Sequence, residues 1–226
     1  MFSIPPRLAL AAGTLTLSLG AQAAGYQAHV VDGQGEPLAD AVVTLQGPGR
    51  GLAQPSAVMD QRDKQYFPRV LAVHTGTAVS FPNHDNIRHQ VYSFSPAKRF
   101  ELRLYEGTPT APVVFDKAGL AVLGCNIHDW MLGYVYVTDA PWFGVTDRHG
   151  NVQFDDLPTG QYSVVLWHPR SANAAPQPQP AVQIADKGVT LDYRLSLAPL
   201  AAGTPRTPTP SAFGDAFSKA ARETEQ

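Results

Sequence analysis

Apolar residues in this chain fall in short runs of period two, cut every few positions by Gly, Pro, Asn or Asp. Candidate strands are Gln27–Val31, Ala41–Leu45, Val70–His74, Ala78–Phe81, Gln90–Phe94, Phe100–Leu104, Val113–Phe115, Leu120–Leu123, Gly133–Val137, Val152–Phe154, Tyr162–Trp167 and Val189–Leu195. Turn signals separate them, among them Asp32-Gly33, Gln46-Gly47-Pro48-Gly49, His149-Gly150 and Pro158-Thr159-Gly160. Helix-period patterns are scarce. Short alternating runs at this spacing predict an all-β chain built as sandwiches or barrels. No repeat with a period of 20–50 residues is present.

Three stretches stand outside that pattern. The N-terminus carries Arg7, an apolar run from Leu8 to Leu19, then Gly20-Ala21-Gln22-Ala23. A basic start, a short apolar stretch and small residues at its end are the grammar of a secretory signal peptide, so residues 1–23 are expected to be cleaved after Ala23. The run is shorter than the roughly 20 residues that span a bilayer, which predicts a periplasmic or secreted protein without a membrane anchor. Ser171–Pro180 (SANAAPQPQP) offers nothing to fill a core and is expected to be an extended loop. Residues 199–226 are rich in Gly, Pro, Thr, Ser and Ala and are expected to be disordered. The formal charge is −2, becoming −3 once Arg7 is lost. Such a balance gives no footprint for nucleic acid and no polybasic membrane patch.

The strands do not sort into one simple domain. Val30–Leu45 is a strand, a Gly/Pro turn and a second strand. Val145–His168 repeats that grammar with a Thr-Asp start, a His-Gly turn and Leu-Pro-Thr-Gly before a Tyr-led strand. Together they resemble the two halves of the carboxypeptidase-regulatory-like (prealbumin-like) β-sandwich. The resemblance implies a discontinuous sandwich from residues 24–55 and 140–198, with a second domain, 56–139, inserted at a hairpin tip where few contacts are broken.

Cysteine usage poses the chemical question. Exported chains normally use Cys in pairs, yet this one has a single Cys, Cys125. An odd Cys is an intermolecular bridge, an inert thiol, or a thiol held by something else. It lies in Gly124-Cys125-Asn126-Ile127-His128-Asp129-Trp130-Met131, a Cys-x-x-His-x-x-Met run, and upstream stands Phe81-Pro82-Asn83-His84-Asp85-Asn86-Ile87-Arg88-His89-Gln90-Val91. One thiolate, two imidazoles and a thioether suit copper that cycles between Cu(II) and Cu(I): imidazole satisfies the oxidised ion and soft sulfur the reduced one. Cys125 is expected to end a strand, the Asn126–Met131 loop to bend back, and Gly133–Val137 to start the next strand, while His89 opens the strand Gln90–Phe94. One Cys cannot attach haem through Cys-x-x-Cys-His, and seven His are too few for a multicopper oxidase. Structural zinc favours more thiolates or imidazoles over Met.

This region resembles the cupredoxins, in particular the amicyanin, pseudoazurin and plastocyanin branch. The match runs through Asp63–Pro68, Leu71–Thr77, Val79–Asn83, His89–Ser93 and Cys125–Val137, with the short Cys-to-Met spacing of the amicyanin type. The resemblance implies a Greek-key cupredoxin sandwich with one type 1 copper ion bound by His89, Cys125, His128 and Met131. It also implies single-electron transfer to or from a redox partner such as a c-type cytochrome or a dehydrogenase; with the other chemistries failing on residue inventory, no enzymatic turnover is expected. Copper storage or delivery, and a scaffold with a structural copper site, are the competing functions. The sequence departs from the family at Gln90, where an Asn usually ties the ligand loops together, at Leu123, and in the long segment Ser95–Thr110. His84 is read as a loop residue at the surface, and His29, His74, His149 and His168 as structural or surface residues. Trp130 has two readings: a ring closing the core beneath the loop, or one lying beside the His128 edge.

Overall fold

The computed structural model describes residues 23–51, 54–109 and 111–199. The expected signal peptide, apart from Ala23, and the expected tail from Leu200 onward lie outside the described residues. The described chain is all-β. Its strands in order are β1 (Ala23–Val31), β2 (Val42–Gln46), β3 (Ser56–Val58), β4 (Asp60–Arg62), β5 (Gln65–Phe67), β6 (Val70–His74), β7 (Thr77–Ser80), β8 (His89–Ser95) and β9 (Lys98–Tyr105). Then follow β10 (Val113–Phe115), β11 (Gly119–Cys125), β12 (His128–Thr138), β13 (Trp142–Val145), β14 (Asn151–Pro158), β15 (Gly160–Trp167), β16 (Gln177–Ile184) and β17 (Val189–Arg194). A single 3₁₀ turn, Ala172–Ala174, accompanies them.

Strand pairing separates the described residues into two groups. The sheets β14-β1-β17 and β13-β2-β15-β16 use only strands from the two ends of the chain. Inward-facing Tyr26, Val30, Leu45, Leu157, Tyr162, Leu166 and Ile184 fill the space between them. The sheets β10-β7-β3 and β6-β12-β11-β8-β9, with the small β4-β5 hairpin, use only the middle of the chain. Their core contains Met59, Tyr66, Phe81, Val91, Phe115, Leu123, Cys125, Met131 and Val135. Period two places alternate residues of each strand in these cores.

A third cluster joins the groups. Val42 and Trp167, on the outer face of the β2-β15 pair, meet Val70 and Ala72 on β6, with Tyr134, Tyr136, Leu120 and Phe143 around them. Strand β2 is therefore buried on both faces at Val42–Leu45, which is why it reads as a continuous apolar run rather than an alternating one. Arg69 spans the same seam, 3.5 Å from Asp40 and over the Tyr134 ring.

Two local expectations need correction. Part of the stretch read as an extended loop is strand: β16 begins at Gln177 and pairs with β15 through Pro178↔Val165. Proline is tolerated there because β16 is an edge strand, where a missing N–H costs no ladder bond on the open side. The loop after Cys125 is also shorter than expected. Cys125 pairs with His128, so only Asn126 and Ile127 form the turn, and His128 and Met131 both belong to β12. Apolar periodicity was a poor guide there because His128, Asp129 and Trp130 are not apolar alternation, yet the backbone still pairs.

Candidate metal centre

The β11-β12 hairpin brings three of the four candidate ligands to one end of the middle sandwich. Its ladder shifts register between Leu123 and Cys125. Beyond the turn, His128 faces inward, Asp129 and Trp130 face outward, and Met131 is again buried. Two consecutive outward residues break strict alternation, which lets both His128 and Met131 share the inner side with Cys125. Glycines on the hairpin admit two aromatic rings. A Cβ at Gly133 would lie 2.8 Å from the Tyr66 ring, and one at Gly124 would lie 2.7 Å from that of Tyr92. Tyr66 uses this approach to donate a hydrogen bond to the Gly124 carbonyl at 2.9 Å, beside Cys125.

His89 comes from the other ligand segment, at the first position of β8. Buried Asn83 organises the loop that leads to it. Its side-chain amide donates to the carbonyls of Ile87 at 2.8 Å and Tyr105 at 3.0 Å, and its oxygen accepts the Asp85 N–H at 3.0 Å. His84, in the same loop, turns away from the centre, with Nδ1 2.7 Å from the Asp60 carboxylate. The backbone reason is plain: His84 sits at the exposed bend, whereas His89 enters the ladder and must point its ring to one face or the other.

The donor atoms converge. Cys125 Sγ lies 3.8 Å from His89 Nδ1 and 3.7 Å from His128 Nδ1, and all three atoms fall within 4.8 Å of one another. A first-row ion holding nitrogen at roughly 2.0 Å and thiolate sulfur at roughly 2.3 Å in a trigonal plane sets such pairs about 3.7 Å apart. Both sulfur–nitrogen separations therefore match those around such an ion. Met131 belongs to the same buried cluster as Cys125. His89 is fully buried and His128 is 9% exposed, so the pocket opens only at the His128 side. Burial, followed by the proximity of His89 and Lys64, depresses the His128 pKa below its ordinary value. A neutral ring keeps its lone pair for a ligand.

Trp130 stands at that opening, 43% exposed, with its ring centroid 5.2 Å from that of His128; Ile127 in the adjoining turn is 50% exposed. Of the two readings of Trp130, the structure thus selects the ring beside the His128 edge. Gln90, where the cupredoxin resemblance leads one to expect an Asn, instead donates to Glu101 at 2.7 Å on the exposed side of β8. Tyr66, Asn83 and Asp85 hold the ligand segments in its place. Beyond their membership of the matched motifs, neither Tyr66 nor Asn83 stands out in the sequence: Tyr66 acts on Gly124, far along the chain, and Asn83 combines local bonds within its loop with one to Tyr105.

Comparison with known proteins yields structural likeness only. No protein-family model matches the chain, and no curated protein matches it. Among solved structures, a purple cupredoxin from Nitrosopumilus maritimus is 22% identical; the alignment covers 38% of this chain and 100% of that one, with a TM-score of 0.33. A reduced amicyanin variant is 21% identical over 42% of this chain and 98% of its own, with a TM-score of 0.34. A copper-containing nitrite reductase from Thermus scotoductus is 21% identical over 49% of this chain and 28% of its own, with a TM-score of 0.36. Scores this low leave the chemistry of the centre to be judged on its own donor atoms.

Proposed function

We propose that this chain is an exported type 1 copper protein that carries single electrons between extracytoplasmic redox proteins. The observation that carries the reading is the convergence of the Cys125 sulfur with two imidazole nitrogens at 3.7 and 3.8 Å in a buried pocket that also holds Met131. Bound there, copper supplies a one-electron Cu(II)/Cu(I) couple. The protein's part is to keep the donor set fixed in both oxidation states. His89, Cys125 and Met131 are sealed from solvent, and Tyr66 and Asn83 pin the two ligand segments by hydrogen bonds. A donor set that is buried and pinned in this way needs little reorganisation when an electron arrives or leaves.

His128 is the exit. Its ring is the ligand edge nearest solvent, and the exposed Trp130 ring lies beside it, next to the exposed Ile127 of the same hairpin. Such a rim suits a brief, small contact with a redox protein such as a c-type cytochrome or a dehydrogenase. With a formal charge of only −2 for the chain, exchange rates should depend modestly on salt.

Adding Cu(II) to the purified protein is expected to give an intense visible thiolate-to-copper band that Cys125→Ala abolishes. Trp130→Ala should keep the band and slow stopped-flow electron exchange with a c-type cytochrome. A colourless wild type would sink the copper reading. A coloured protein that exchanges electrons with no redox partner would instead indicate copper delivery.

A further inference from the structure

The β4-β5 hairpin does something that its short length does not announce. Its turn consists of Asp63 and Lys64, with φ of 52° and 58°, a two-residue turn of the kind that normally takes Asn-Gly or Asp-Gly. Lysine is unusual in that conformation. Both turn amides point at one side chain: the Asp63 N–H donates to Asp85 Oδ1 at 2.7 Å and the Lys64 N–H to Asp85 Oδ2 at 2.9 Å. The same Oδ2 lies 2.6 Å from His89 Nε2. Asp85 thus joins the hairpin tip to the candidate ligand that comes from outside the Cys125 loop.

Resting on the copper reading, we infer that Asp85 is a positioning residue for His89, selecting its tautomer and placing a fixed negative charge behind it. With Nε2–H donating to the carboxylate, Nδ1 is left as the lone-pair nitrogen, and Nδ1 is the atom that faces Cys125 Sγ at 3.8 Å. Both carboxylate oxygens accept backbone N–H bonds from the turn, an arrangement that suits a carboxylate. An ionised carboxylate on the far nitrogen raises the basicity of the ligating one and favours the more highly charged state of a bound metal. The hairpin's role follows from geometry: by binding both oxygens it stops the carboxylate from rotating away from the ring. His128 has no carboxylate bonded to its ring among the described residues, so the two imidazoles are supported unequally.

The test compares wild type, Asp85→Asn and Asp85→Glu. In the metal-free wild type, proton NMR should show a downfield, slowly exchanging His89 ring N–H that Asp85→Asn loses. With copper, Asp85→Asn should bind Cu(II) roughly 10–100-fold more weakly, as is usual when such outer partners are removed. A tenfold loss confined to Cu(II) raises the one-electron potential by about 59 mV. Asp85→Glu, which keeps the charge, should recover part of both effects and serves as the informative variant should Asp85→Asn not fold. A coloured Asp85→Asn protein with unchanged potential and an unchanged ring N–H would overturn the role of Asp85 alone. A wild type that gives no coloured band would remove the copper reading beneath it.

Discussion

Burial at the end of β15 lowers the His168 pKa to about 4, with Arg69 and Arg170 adding repulsion against a protonated ring. Its Nδ1 accepts the Arg170 N–H at 3.1 Å, a bond that only the unprotonated nitrogen can make. The unfolded chain, with an ordinary value near 6.5, binds a proton that the folded chain refuses between those limits. His168 therefore leaves stability intact above about pH 6.5 and withdraws it as pH falls towards 4, by up to roughly 3 kcal/mol. Urea midpoints measured between pH 7.5 and 4.5 should fall for the wild type and fall less for His168→Asn. Parallel curves for the two proteins would assign the acid sensitivity elsewhere. The same sequence neighbourhood gave no hint of this, since His168-Pro169 reads only as the end of a strand. Arg170 is a sequence neighbour, but Arg69 and the burial itself are supplied by folding.

Among the elements, the β11-β12 hairpin concentrates the chemistry. Its tightness depends on Gly133, because the Tyr66 ring occupies the space a side chain would need. Gly133→Ala is expected to destabilise the protein by about 1–3 kcal/mol through overpacking, and to alter the visible spectrum by pushing Tyr66 off the Gly124 carbonyl. A companion change, Tyr66→Ala, would remove the clash, so Gly133→Ala should cost less in that background. Equal costs in both backgrounds, measured by denaturant unfolding, would show that the ring is not what the glycine accommodates. Strand β16 makes the complementary point. Its Gln-Pro-Gln-Pro start carries no strand signal of its own, and only its place at the sheet edge makes strand pairing possible.

For the whole molecule, the seam around Trp167 decides how independent the two strand groups can be. Trp167 is buried against Tyr134 and Tyr136, with ring centroids 5.8 and 5.4 Å away. Those tyrosines lie on β12, the strand that also carries His128 and Met131. We propose, as the domain resemblance implies, that 56–139 is an inserted folding unit. Removed from the chain, it keeps its own core but uncovers Val70, Ala72, Tyr134 and Tyr136. The excised fragment should bind Cu(II) with the same band, yet be less stable and associate at high concentration. In the full chain, Trp167→Ala should cost about 3–5 kcal/mol while leaving the copper spectrum in place. A fragment that remains unfolded with Cu(II) present would argue for one continuous domain.

The sequence by itself determined the β class and the candidate ligand set. Period-two patterning is a local property of each strand, and the Cys125, His128 and Met131 spacing lies within a single hairpin. It also singled out His89 over His84 through its place at a strand start, and the structure brings His89 to Cys125 while His84 turns to Asp60. Only the tertiary structure decided that Trp130 stands outward beside His128, that Asp85 backs His89, and that Tyr66 and Asn83 pin the ligand segments. Each of those outcomes depends on which segments lie opposite one another across a sheet or a loop. Such pairings are set by the packing of the whole core, and no run of neighbouring residues encodes them.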